Sequence, residues 1–125
     1  MTPPPTAPSP GAFSVSVLTK RADFLRAARA KRAPCPGFMV QARQRDPDEF
    51  PDLIRVGFTC SKKVGNAVAR NRAKRRLREI ARLIVPLEGR PGWDYVLIGR
   101  AGATADLPFS QLQTDLSRAL RKLHQ

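Results

Sequence analysis

The sequence predicts a small α+β domain of α-β-β-α-β-α order, a central sheet with helices packed on it. Three observations predict this. Apolar residues alternate at period two over Phe38–Arg43 and Leu53–Ser61 and fill both faces of Trp93–Arg100, so these stretches read as strands. They recur at helical period over Ala67–Val85 and Phe109–Leu123. A chain of 125 residues, 42% hydrophobic, suits one domain with one modest core.

Residues 1–12 hold Pro3, Pro4, Pro5, Pro8 and Pro10 and almost nothing to bury, so a disordered or polyproline-like arm is expected there, with the folded domain over 13–125. No basic residue flanks these prolines, as an SH3-type ligand would want. No basic stretch followed by an apolar one marks a secretory signal. Thr19 is the expected N-cap of a first helix, Lys20–Lys31, with Leu18, Phe24, Leu25 and Ala28 as a partial apolar face. Pro34, Pro36 and Gly37 end it, leaving Cys35 as a loop thiol.

In the strand that follows, Phe38, Val40 and Ala42 alternate with Met39, Gln41 and Arg43. The acidic turn Asp46–Glu49 is expected to join it to Leu53–Ser61 as an antiparallel pair. Ile54, Val56, Phe58 and Cys60 take one face of that second strand, which makes Cys60 a small core residue. Arg55, Gly57, Thr59 and Ser61 take the other, a poor core but a good wall for an extended backbone, with Gly57 admitting close approach. Val64-Gly65-Asn66 turns the chain into a long helix capped by Asn66 and stopped near Val85, before Pro86. After the loop Glu88–Gly92 comes the third strand, expected to be central, with Asp94, Val96 and Ile98 on one face and Trp93, Tyr95 and Leu97 on the other. A small-residue loop, Gly99–Leu107, leads to the last helix, whose apolar face is Leu112, Leu116, Ala119, Leu120 and Leu123.

Charge narrows the function. Lys and Arg number 23 against 10 Asp and Glu, a net charge of +13, which points to a partner carrying many phosphates. The charge concentrates on the long helix. Ala69, Ala73, Leu77, Ile80 and Ile84 make its apolar stripe, while Asn71, Arg75, Arg78 and Arg82 lie opposite, flanked by Arg72 and Lys74. A merely solvated helix face usually alternates in sign, but Glu79 is the only acid between Ser61 and Val85, so this face repels itself unless a polyanion covers it. Arginine suits bidentate contact with phosphate oxygens. The helix therefore binds nucleic acid.

Other classes fit poorly. The acids are scattered and His124 is the only histidine, so neither a metal-holding carboxylate cluster nor a histidine acid–base pair is apparent. No catalytic or metal-ligating residue is expected. Two cysteines cannot form a four-ligand zinc site, and no apolar run approaches a membrane span. A cytoplasmic protein without membrane attachment is expected, in which a Cys35–Cys60 disulfide would be out of place. A DNA-binding regulator would want a dimer interface and base-reading side chains on the helix, where only Asn71 qualifies.

Lys62-Lys63-Val64-Gly65-Asn66-Ala67-Val68 running into Arg70-Asn71-Arg72, then Lys74-Arg75 and Arg78, resembles the signature of the bacterial ribonuclease P protein subunit, with 70–72 as its "RNR" motif. The resemblance spans roughly Leu18–Leu123. It implies a ribosomal-protein-like fold with a left-handed β-α-β crossover, where general rules favour a right-handed one. It also implies a role in removing the 5′ leader of precursor tRNA, with catalysis and Mg²⁺ residing mainly on the RNA subunit and substrate. The catalytic RNA and precursor tRNA are then the expected partners, and no obligate protein partner is. Lys62, Lys63, Asn66, Arg70, Asn71, Arg72, Lys74, Arg75 and Arg78 would contact RNA. A cleft between the first helix and the sheet would hold the leader, with Phe24 stacking on a base. The family's second aromatic is Ala28 here, and a further position often aromatic is Gln41, which leaves Arg43, Arg55 and Lys62 to grip by charge. A ribosomal-type structural RNA-binding protein would share the charge and fold class, but not this motif.

Overall fold

The computed structural model describes residues 15–125, so the proline-rich arm expected over 1–12 lies outside the described residues. The elements are β1 (Val15–Val17), α1 (Arg21–Ala28), β2 (Lys31–Pro34), β3 (Phe38–Gln44), β4 (Ile54–Cys60), α2 (Ala67–Glu88), β5 (Trp93–Gly99), α3 (Ala103–Asp106) and α4 (Phe109–Leu123). The strands form one sheet in the order β1-β4-β5-β3-β2. β1, β4 and β5 run parallel, and β3 pairs antiparallel with both β5 and β2. The mixed α+β class and the order of the longer elements are as the sequence predicts.

β5 is central, and Asp94, Tyr95, Val96 and Leu97 are all buried. Its place between β3 and β4 overturns the expected β3–β4 pairing: the acidic turn carries the chain across a strand position that β5 later fills. Two short strands escape the sequence pattern. β1 has three residues, too few to show alternation, and β2 follows α1 so closely that its basic residues read as helix. Consequently α1 ends at Ala28 rather than Lys31, and it begins after Lys20, with no side-chain cap from Thr19 or any other residue. Pro34 is tolerated because β2 is an edge strand.

One face of the sheet carries the main core. Val40, Ala42, Ile54, Val56, Tyr95 and Leu97 meet Leu77, Ile80 and Val85 of α2 and Leu112, Leu116 and Leu120 of α4. Cys35, expected in a loop, is buried in this core, where burial and then the nearby Asp115 carboxylate push its thiol up to about 11. Cys60 is only half-buried, its Sγ 3.9 Å from the Arg70 carbonyl. Among the described residues the opposite face carries α1 alone, over a small cluster of Leu18, Ala27 and Val96 with Phe24 and Ile98 beside it.

Gly65, at φ 138°, makes the turn into α2, and Asn66 caps it by accepting from the Ala69 N–H at 2.9 Å. The helix runs through Pro86 instead of stopping before it. Pro86 lies in the last turn, so its missing N–H forfeits a single bond, to the carbonyl of the exposed Arg82. The expected loop after β5 contains α3, held by Arg76, whose Nη1 donates to the Thr104 and Ala105 carbonyls at 2.8 and 2.6 Å.

Candidate nucleic-acid interface

α2 separates its residues by chemistry. Ala73, Leu77, Ile80, Ala81 and Val85 are buried against the sheet and α4, leaving Asn71, Arg72, Arg75 and Arg78 exposed and Arg70 and Lys74 half-buried. Lys62 and Lys63 stand exposed on a 3-10 turn just before the helix. Among the described residues no side-chain hydrogen bond or ion pair engages the cationic groups of Lys62, Lys63, Arg70, Arg72, Lys74 or Arg75. The Arg78 guanidinium lies 5.8 Å over the Phe58 ring. Two other arginines serve the protein itself: Arg76 holds α3, and Arg82 pairs with Glu79, the one acid between Ser61 and Val85, removing it as a competitor for cations. Asn66 also has a structural task, since its side-chain oxygen is taken by the cap.

The second surface lies on the other sheet face. Strand register arranges its residues in rows: Arg55-Asp94-Arg43, then Gly57-Val96-Gln41-Arg32, then Thr59-Ile98-Met39-Pro34. Phe24 is seated on the middle row, because a Cβ on Gly57 would come within 2.6 Å of its ring. Gly57 therefore admits an aromatic side chain, where the sequence reading expected a nucleic-acid backbone. Beside α1 a cleft of about 460 Å³ stays open, walled by Thr19, Arg21, Phe24, Leu25 and Ala28 and floored by Gln41, Thr59, Val96 and Ile98. Phe24, Ala28 and Gln41 thus come together as the sequence suggests.

Arg43 and Arg55 do not join them. Both belong to the first row, where Arg55 donates to Asp94 from Nε at 2.8 Å and from Nη2 at 2.9 Å, and Arg43 reaches the same carboxylate at 3.4 Å. Arg55 also lies 3.6 Å from Asp23 of α1, and both arginines pair with Glu49. The hydrogen bond to Asp94 holds the Arg55 pKa above its ordinary value. These two side chains therefore anchor α1 and the 46–53 turn rather than line the cleft. Beneath them the fully buried Arg45 meets Asp94 at 2.5 Å, donates to the Trp93 and Phe50 carbonyls at 2.8 and 2.6 Å, and also bonds Leu53. Three arginines around one buried carboxylate escaped the sequence reading, although a charged residue in a strand filled on both faces was the available signal.

Arg100 was missed as well. It follows β5 at the C-terminal end of the parallel pair β4–β5, between a hollow shared with Ser61 and Lys63 and another shared with Asn66 and Arg72. Its buried Nε has no hydrogen-bond partner among the described residues. The site it joins lies where the open crevice of a parallel β-α-β unit is expected.

Among the described residues no group of three or more His, Cys, Asp and Glu could hold a metal ion, and no helix is long and apolar enough to cross a membrane. The ribonuclease P family profile matches residues 14–124. The chain is 65% identical over 121 residues to the ribonuclease P protein component of Ruegeria pomeroyi, covering 97% of this chain and 96% of that one. It is 47% identical to that of Caulobacter vibrioides, covering 94% and 76%. Among solved structures it resembles the Staphylococcus aureus RNase P protein, with TM-score 0.64, 29% identity and coverage of 85% and 93%. The Thermotoga maritima RNase P protein gives TM-score 0.65 at 27% identity, covering 82% and 91%.

Proposed function

This chain belongs to the ribonuclease P protein family, and from that premise we propose how its two surfaces share the work of trimming precursor tRNA at the 5′ end. The basic face of α2, with Lys62 and Lys63, binds the catalytic RNA. The cleft beside α1 receives the single-stranded 5′ leader, one base stacking on Phe24. The observation that carries this reading is the set of uncommitted cations on α2, set apart from arginines that the fold uses internally.

Bond cleavage falls to the RNA subunit. Asp23 of α1 and Asp94 of β5 are engaged by arginines, and among the described residues no Asp or Glu lines the cleft as a donor for Mg²⁺ beside the leader. On this reading the RNA subunit and the substrate would hold most of the Mg²⁺, which when bound would supply Lewis-acid chemistry for the hydrolysis. The protein's share is to neutralise phosphates that would otherwise need further cations, and to hold substrate near the RNA. Its working compartment is the cytoplasm.

The test is cleavage of a leader-bearing precursor tRNA by a bacterial ribonuclease P RNA at low Mg²⁺, with and without this protein. The expected result is rescue of cleavage at the mature 5′ end by the protein, and no cleavage by the protein alone. Cleavage by the protein alone would overturn the division of labour.

A further inference from the structure

Arg32 sits where the middle row of the cleft floor reaches the edge of the sheet. It is paired in register with Gln41, which floors the cleft. Its neighbours establish which way it points: Ala33 is buried in the core on the opposite face, and Lys31 turns to that same opposite side, its Nζ donating to the Leu123 carbonyl at 3.3 Å. Alternation along β2 therefore directs Arg32 to the α1 side. It is exposed, and no partner among the described residues engages it. β2 ends the sheet, so among the described residues no further strand blocks passage beyond it.

We propose that Arg32 is a further leader-binding residue, a phosphate contact that extends the cleft across β2 and holds the leader's 5′-distal part. This rests on the cleft being the leader's path. The direction follows from what lies at each end. At the β4 end, Thr59 is followed by Lys62, Lys63 and α2, the surface assigned to the catalytic RNA and hence the side of the scissile bond. A strand entering there crosses β5 and β3 and leaves over β2. From β4 to β2 are three interstrand steps of about 4.8 Å, roughly 14 Å in all, so only a leader of several nucleotides reaches Arg32. Ala28 and Gln41 offer no aromatic surface between Phe24 and this edge, so a charge at the exit is the stronger remaining hold on the distal backbone.

The holoenzyme should be assembled with wild-type protein, Arg32→Ala, Arg32→Lys, Phe24→Ala, and Arg121→Ala as an exposed control on α4. Each is titrated with precursor tRNA carrying either a long leader of about ten nucleotides or a very short one, with circular dichroism checking the fold. Arg32→Ala should weaken long-leader binding about fivefold to tenfold and reduce its salt slope by about one unit, while leaving short-leader binding unchanged. Arg32→Lys should recover most of the loss, and Arg121→Ala should change neither substrate. If Phe24→Ala weakens long-leader binding and Arg32→Ala does not, the leader does not cross β2 and the proposal fails with the cleft reading intact. Equal losses for both leaders would place Arg32 on some other part of the RNA, which also defeats it. If neither Phe24→Ala nor Arg32→Ala distinguishes the leaders, the cleft reading fails and takes this proposal with it.

Discussion

Asp94 shows how much of this protein depends on a single side chain. A carboxylate with no exposed surface is stable only when paired, and Asp94 accepts from Arg43, Arg45 and Arg55 together. Asp94→Asn keeps the shape but leaves Arg45 buried without a counter-ion. The expected cost is about 3–5 kcal/mol, read from urea unfolding. A loss within half a kcal/mol would mean that the carbonyls around Arg45 suffice. His124 gives a second residue-scale expectation. The Tyr95 hydroxyl accepts from the Arg90 N–H at 2.9 Å and is hydrogen-bonded to His124 Nε2, 2.6 Å away. Burial, then the Arg90 and Lys31 charges, lower the imidazole pKa from 6.5 to about 4. The folded state thus favours the neutral ring, and the unfolded chain takes up a proton first as pH falls. Stability from this ring is fully present above pH 6.5 and is lost as pH falls from there towards about 4. Because the chain has one histidine, its ring protons can be followed directly by NMR. A midpoint near 6.5 would refute the buried arrangement. Neither cluster was legible in the sequence, because each joins residues far apart in the chain through partners that only the strand order brings together.

At the scale of elements, the long helices and strands were legible and the short ones were not. The α2 pattern repeats over enough turns to reveal its buried stripe and its Asn66 cap, whereas β1, β2 and α3 are shorter than any period that would disclose them. Pro86 misled for a physical reason: a proline near a helix end costs one hydrogen bond, which tertiary packing of Val85 readily offsets. The seating of α1 was half legible. Phe24 was identified, but the role of Gly57 in receiving its ring was not. Gly57→Ala forces α1 outward, with an expected loss of about 1–3 kcal/mol and weaker leader binding. Unchanged melting and unchanged leader affinity would show that the ring simply moves aside. Asn66→Ala should cost about 1 kcal/mol in unfolding experiments, by leaving the Ala69 N–H without its partner.

For the whole molecule, charge was the most legible property and the most informative. A net +13 predicted a polyanionic partner, but composition could not tell which cations were free. Folding sorts them: Arg43, Arg45, Arg55 and Arg76 are committed to the protein's own carboxylates and carbonyls, while Arg70, Arg72 and Arg75 have no such partner among the described residues. Alanine at any of the last three should weaken binding to the catalytic RNA and flatten its salt dependence by about one unit of slope for each phosphate no longer neutralised. A slope identical to wild type in all three would remove α2 from the interface.

The two surfaces proposed to bind the catalytic RNA and the leader occupy opposite sides of one sheet, and no residue assigned to the basic face of α2 also lines the cleft beside α1. Inheritance can then act on them separately. A lineage whose catalytic RNA drifts can adjust the exposed positions of α2 without disturbing how tRNA precursors are held, and a change in leader composition can be met at Ala28 or Gln41 while the RNA partner stays the same.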